Sequence, residues 1–233
     1  NFARSTLSAG FKISQTYLRH WQKGNRPYFI WAGGSTTLGV LGYVNASLEI
    51  AQQIKDALLP EPDYIFCAVG SCGTFAGLVL GTKLAGLRTK IIGIRVYDKL
   101  FANSYVSFRL ARNALNLIRK YDSGISEFRI HISDFTVLHN YAGAGYAVPT
   151  PAGISAVRLA KDLEGLNLDT TYTGKSLSGI IDLAGKGHLN NKVVLFLNSF
   201  NSRPLEKLLT GFPSWEDLPG EFHHCFKQGS KEG

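Results

Sequence analysis

The stretch that decides the fold runs Asp63-Tyr64-Ile65-Phe66-Cys67-Ala68-Val69-Gly70-Ser71-Cys72-Gly73-Thr74. Its apolar run up to Val69 fits a strand covered on both faces. Glycines follow at once, and a helix of small residues is predicted over 74–87. A strand that passes through a glycine turn into a helix leaves backbone N–H groups pointing outward. The helix dipole adds about half a positive charge at that end. The turn therefore reads as an anion site, with Gly70, Ser71, Cys72, Gly73 and Thr74 as candidate binding residues. The Ser71 and Thr74 hydroxyls add donors. The glycine spacing is GxxGxxxG, which is not the GxGxxG of a dinucleotide fingerprint.

Outward from this turn, strands alternate with helices. Upstream, Pro27 to Ala32 (PYFIWA) is a short apolar run read as a strand, ending in Gly33-Gly34. Residues 38–59 have helical spacing, with Val44, Leu48, Ala51 and Ile54 on one side, and stop at Pro60. Downstream, KIIGIRV at 90–96 is the next strand. Residues 104–120 are a helix with Phe108, Ala111, Leu115 and Ile118 repeating on one face. Residues 127–137 are β-prone. A helix with proline in its first turn spans 151–164. Residues 177–184 form another helix, and KVVLFL at 192–197 is the last strand. This alternation predicts an α/β fold: an open, mainly parallel sheet flanked by helices in three layers. Ligands in such sheets sit at the carboxyl ends of the strands. Three turns there matter: 33–35, 70–74 and 172–176.

Composition narrows the function classes. The chain has 233 residues, 45% of them hydrophobic and 18% charged, which supports a sizeable core and excludes a disordered chain. Lysine and arginine (25) outnumber aspartate and glutamate (17), for a formal charge of +8. The basic residues are scattered, with no basic run longer than two and no aromatic interleaving of the kind that stacks on bases, so no nucleic-acid partner is expected. No apolar run is long enough to span a bilayer, and no membrane partner is expected. The three cysteines, Cys67, Cys72 and Cys225, do not form a disulfide framework, which fits a cytoplasmic chain. The sequence has no methionine and opens Asn1-Phe2-Ala3-Arg4, which reads as an unusual composition, a processed or N-terminally truncated piece, or a sequence from which methionines have been dropped.

Two further stretches carry chemistry-bearing residues. Asp169-Thr-Thr-Tyr172-Thr173-Gly174-Lys175-Ser176 imitates a nucleotide P-loop, but the first glycine is missing and no strand leads directly into it. The second is Tyr141-Ala-Gly-Ala-Gly-Tyr146-Ala-Val-Pro149. His131, His139 and the tail His223-His224-Cys225 form no catalytic spacing, and no metal site is expected.

Taken in order, these turns resemble one family. The matching stretches are Gly33-Gly34-Ser35 with Leu38-Gly39 and Gly42-Tyr43; Gly70 to Thr74 with Ala76-Gly77; Gly145-Tyr146 with Pro149; and Glu164-Gly165 with Asp169 and Tyr172 to Lys175. Together they resemble pyridoxal-phosphate enzymes of fold type II, the tryptophan-synthase-β type. Within that group the chain resembles the D-cysteine desulfhydrase and 1-aminocyclopropane-1-carboxylate deaminase branch. The resemblance implies pyridoxal phosphate as cofactor, its phosphate held by Gly70 to Thr74 and its ring nitrogen by Thr173. It implies Tyr146 and Tyr172 as catalytic residues flanking a small amino-acid substrate, and a homodimer. Threonine after the tyrosine, in place of glutamate, leans toward loss of a β-thiol from a D-amino acid, giving pyruvate, ammonia and sulfide.

The family also forms a Schiff base on a lysine upstream of everything matched here. That role is carried onto no residue of this chain, Lys175 included. The domain organisation expected is 1–32 as the remnant of a smaller domain and crossover, 33–212 as the cofactor-binding domain and 213–233 as a C-terminal tail. A non-catalytic binder of pyridoxal phosphate or phosphate on the same scaffold is the alternative reading.

Overall fold

The computed structural model describes residues 6–201, 214–220 and 223. The chain divides into two compact units, residues 31–202 and residues 1–30 with 203–233. The larger unit carries a four-stranded sheet in the order β3-β2-β1-β4. Strands β1 (Tyr64–Val69), β2 (Lys90–Arg95), β3 (Thr136–Leu138) and β4 (Val194–Phe196) are all parallel to their neighbours. Tyr64 faces Lys90 in the β1–β2 register, and Phe66 faces Phe196 across to β4. All carboxyl ends therefore lie along one edge. Asp63 ties the start of β1 to the start of β4: its carboxylate accepts from Val193 N–H at 2.8 Å and pairs with Lys192 Nζ at 3.0 Å.

Alternation along β1 explains the layers. Ile65, Cys67 and Val69 join one buried cluster with Phe75, Leu78 and Val79 of α3 (Gly73–Leu84) and with Val40 and Val44 of α2 (Thr37–Lys55). Ala111, Ala114 and Leu115 of α4 (Ser104–Ile118) close that cluster. On the opposite face a Cβ on Gly179 would lie 2.9 Å from Ile94 of β2, so α6 (Thr173–Gly185) covers that side, packed with α5 (Pro151–Glu164). The predicted three-layer α/β arrangement with a parallel sheet is what forms.

Several predicted elements shift. PYFIWA does not pair as a strand; Tyr28, Ile30 and Trp31 are exposed, and Ala32–Gly34 is a 3-10 turn. Apolar content alone did not supply a partner edge. The β-prone stretch 127–137 yields only the short β3, because Ile132–Asp134 closes into a 3-10 turn in which His131 N–H donates to the Asp134 carboxylate. The buried stripe of α2 is Val40, Val44 and Ser47, while Leu48, expected on that stripe, is 45% exposed. Small residues face inward there because α2 meets the glycine face of α3.

That contact is close. A Cβ on Gly77 would lie 2.5 Å from Tyr43 Cβ and 2.6 Å from the Val40 carbonyl oxygen. One on Gly81 would lie 2.6 Å from Ser47 Cβ. The smaller unit contains α1 (Thr6–Gln22), with Phe11, Leu18 and Trp21 exposed, and a 3-10 turn at Trp215–Asp217, where Trp215 meets His223 edge-on at 5.3 Å. His224 and Cys225 lie outside the described residues.

The glycine contact yields a paired prediction. Gly77→Ala should destabilise the fold by about 1–3 kcal/mol, overpacking outweighing the better helix propensity of alanine. Gly42→Ala, exposed on α2 with nothing within 4 Å of the new methyl, should stabilise it by roughly 0.5–1 kcal/mol. Thermal melts of the two variants check the opposite signs; a stable Gly77→Ala would contradict the close packing.

Candidate active site

The site is built on the carboxyl ends of the strands. β1 ends at Val69, and Gly70 to Cys72 turn directly into α3. Cys72, at the N-cap, adopts a left-handed backbone (φ 69°) and gives no side-chain capping bond. The first-turn amides of α3 are thus left to other partners, and no acidic residue sits in that turn. One of them, Gly73 N–H, donates to Ser35 Oγ at 3.2 Å, and Ser35 Oγ–H donates to Ser71 Oγ at 2.7 Å. The turn 33–35 reaches this place because Gly33 and Gly34 both take positive φ, 67° and 64°. A Cβ on Gly33 would stand 2.3 Å from Ser71 Oγ, and one on Gly73 would stand 2.5 Å from Ser35 Oγ. Ser71 is exposed and Thr74 half-buried. This is a cradle of hydroxyls and amides at a helix N-terminus, the donor set that suits a phosphate group.

The Cys72 thiol is buried and donates toward the Phe101 carbonyl at 3.3 Å. Burial pushes its pKa up, with a smaller opposing pull from Ser107 and the Asn103 backbone. Cys67 is pushed up too, by burial and then by Cys72. Neither is a ready nucleophile.

Opposite the cradle stands the N-terminus of α6. The stretch 172–176, read as a turn, is the first turn of this helix. Asp169 makes the difference. One carboxylate oxygen accepts from Thr171 N–H (2.8 Å) and Tyr172 N–H (2.6 Å). The other accepts from Thr173 N–H (3.1 Å) and the Thr173 hydroxyl (2.6 Å). Burial favours its neutral form, but these hydrogen bonds win and the pKa is lowered. Thr173 is 1% exposed, and its oxygen also accepts from Asp169 N–H at 2.9 Å.

The tyrosines meet here. The Tyr146 and Tyr172 hydroxyls are hydrogen-bonded to each other, and their rings pack edge-on with centroids 5.9 Å apart. Tyr97, just past β2, packs edge-on against Tyr146 at 4.9 Å. A Cβ on Gly70 would lie 3.3 Å from Tyr172 Cε1, so Tyr172 stands against the cradle turn. The Tyr172 pKa is raised by burial first, then by the Tyr146 hydroxyl. An open depression of about 380 Å³ is lined by Asp169, Thr171, Tyr172, Ser199, Phe200 and Asn201.

Sequence reading thus located residues that come together: Gly70 to Thr74, Tyr146 and Tyr172. It read Thr173 as part of a turn, whereas Thr173 opens α6, and it did not find the tie to Asp169. It missed Ser35's bonds, Tyr97 and Asp169's capping. For Asp169 a signal existed, since an aspartate side chain often accepts from the backbone N–H two residues on, as it does here from Thr171. Among the described residues no group of His, Cys, Asp and Glu could hold a metal ion.

A family model described as pyridoxal-phosphate dependent enzyme matches residues 5–199. The chain belongs to the pyridoxal-phosphate-dependent enzyme family. Among its relatives is a D-cysteine desulfhydrase of Klebsiella pneumoniae (strain 342), 36% identical over 181 residues, which are 76% of this chain and 51% of that protein. A Thermotoga maritima protein, named as a proposed 1-aminocyclopropane-1-carboxylate deaminase, is 32% identical over 180 residues, covering 76% of this chain and 53% of that one. A crystal structure of a homologue of 1-aminocyclopropane-1-carboxylate deaminase superposes with a TM-score of 0.70 at 30% identity, covering 85% of this chain and 57% of that one. The chain spans about half the length of the curated relatives it matches. Pyridoxal phosphate is the family's cofactor, and the parallel sheet flanked by helices is the family's fold.

The capping role of Asp169 gives a pH-dependent prediction. A carboxylate with a lowered folded pKa stabilises the fold above its unfolded pKa, about 4, and that contribution is lost as pH falls through the folded value. Asp169→Ala should cost about 1–2 kcal/mol at pH 7. The gap between wild type and variant in urea unfolding should close on acidification below about pH 4. A gap that stays constant with pH would contradict the ionised cap.

Proposed function

We propose that this chain supplies the phosphate cradle and the tyrosine pair of a pyridoxal-phosphate-dependent enzyme that eliminates or deaminates a small amino acid. The finer reading is D-cysteine desulfhydrase-like β-elimination, with pyruvate, ammonia and sulfide as products. The observation that carries it is the adjacency of two features: an amide-and-hydroxyl cradle at the end of β1, and Tyr172 packed against Gly70 in that cradle. Relatives named for D-cysteine desulfhydrase and 1-aminocyclopropane-1-carboxylate deaminase support the same reaction class.

The cofactor, when bound, acts as the electron sink for the substrate's Cα–H bond. The residues of this chain do the rest. Gly73 and Thr74 amides and the Ser35, Ser71 and Thr74 hydroxyls hold the phosphate. Displacing the Ser35–Gly73 bond frees an amide for it. Tyr172, kept protonated, and Tyr146, bonded to it, face the substrate and offer a proton or a carboxylate contact. Thr173 is the proposed partner of the ring nitrogen. Its hydroxyl donates to the Asp169 carboxylate and its oxygen accepts from Asp169 N–H, which leaves one lone pair for a further partner. The Schiff-base lysine is assigned to no residue of this chain. Lys175 is fully buried with its amino group on two backbone carbonyls, which fits that assignment and leaves a non-catalytic binder as the second reading.

Calorimetric titration of the chain with pyridoxal phosphate and with pyridoxal tests the cradle. The phosphate ester should bind at least about tenfold more tightly, and Ser71→Asp should weaken it by a similar factor, about 1.4 kcal/mol. Equal affinities and an indifferent Ser71→Asp would sink the reading. Borohydride treatment of the chain with pyridoxal phosphate should leave Lys175 unmodified by peptide mass mapping. An adduct on Lys175 would overturn its exclusion, and an adduct on any other lysine would overturn the non-catalytic reading.

A further inference from the structure

Lys175 has no carboxylate partner among the described residues, although it is wholly buried (0% exposed) in the first turn of α6. Its Nζ instead donates to the Ala142 carbonyl at 2.7 Å and the Gly145 carbonyl at 3.2 Å. Burial and then the nearby Arg95 lower its pKa. Either protonation state keeps the two N–H bonds, since an amine retains two donors. Burying such a group is costly unless it is hydrogen-bonded, and these two carbonyls supply the bonds.

What they organise is the tyrosine pair. Gly145 immediately precedes Tyr146, and Lys175 lies three residues after Tyr172, one turn along the same helix. The chain therefore makes a closed circuit: Tyr172 to Lys175 through the helix, Lys175 to Gly145 through a hydrogen bond, Gly145 to Tyr146 through the backbone, and Tyr146 back to Tyr172 through their hydroxyls. Gly143 takes a positive φ of 68°, which glycine adopts freely, whereas Ala147, just past Tyr146, takes one of 60°, a conformation a residue with a Cβ rarely adopts without support from its surroundings. The lysine stem runs beside α5, where a Cβ on Gly153 would lie 3.6 Å from Lys175 Cγ.

We propose that Lys175 is a positioning residue, which pins the 142–145 loop onto α6 and so sets the Tyr146–Tyr172 hydroxyl contact that faces substrate. The facing of substrate rests on the functional reading above; the pinning does not. Lys175 takes no part as a nucleophile. It acts on the reaction only through the two hydroxyls.

Fluorine NMR of the full chain labelled with 3-fluorotyrosine tests this, with the two resonances assigned from Tyr146→Phe and Tyr172→Phe. In Lys175→Met, both resonances should shift toward the position of free fluorotyrosine, while Tyr64 on β1 keeps its wild-type shift. Unmoved Tyr146 and Tyr172 resonances in that variant would overturn the proposal. Should Lys175→Met not fold, the wild-type chain labelled in its lysine ε-carbons decides. One lysine should show two inequivalent ε-protons with a cross-relaxation contact to Gly145, and the absence of any such lysine overturns the proposal. Adding pyridoxal phosphate to the labelled wild type separates the two claims. A Tyr172 shift on addition supports the functional reading, whatever Lys175→Met does; no shift counts against that reading and leaves the pinning to stand or fall on the variant.

Discussion

The Asp169 carboxylate fixes the site. It gathers three backbone N–H groups and one hydroxyl, and in doing so it starts α6 at Thr173 rather than several residues later. Everything on that helix is placed by this start. Tyr172 comes to rest against Gly70 of the cradle, Thr173 is buried, and Lys175 points its amino group at the 142–145 loop. A charged group at a helix N-terminus is stabilised by the dipole, so the constraint reinforces itself. The same physics operates across the site at α3, where the N-terminus carries no acidic residue and no capping side chain of its own. One helix end has its own carboxylate; the other has none.

Glycine sets the second constraint. The α2–α3 contact needs hydrogen atoms at positions 77 and 81, and the cradle needs them at 33 and 73. This gives the glycine-rich composition a specific use. Close helix packing brings the 33–35 turn over the cradle, so that Ser35 reaches Gly73 N–H. The bond is between a neutral hydroxyl and an amide, and the charge-assisted bonds of a phosphate would be about twice as strong.

Much of this was legible in the sequence, and for identifiable reasons. The apolar run at 64–69 and the glycines after it are local signals, and they produced β1, α3 and the cradle. Pro151 after Thr150 set the start of α5, where Thr150 caps Gly153 N–H. The illegible parts depend on partners distant in sequence. PYFIWA looked like a strand because apolar content carries no information about an available edge. The inward face of α2 was misjudged because hydrophobicity favours Leu48, whereas packing on glycine favours Val40, Val44 and Ser47. Tyr172 to Ser176 has turn composition, and only the Asp169 side chain converts it into a helix start. Lys175 looked like part of a failed P-loop; its carbonyl partners lie 30 and 33 residues upstream.

The most direct test of this account is a crystal structure of the chain grown with pyridoxal phosphate. The account predicts the phosphate within about 3 Å of the Gly73 and Thr74 amides, with Ser35 turned away from Gly73 N–H and the ring beside Tyr172. A phosphate bound elsewhere, with the Ser35–Gly73 bond intact, would contradict it.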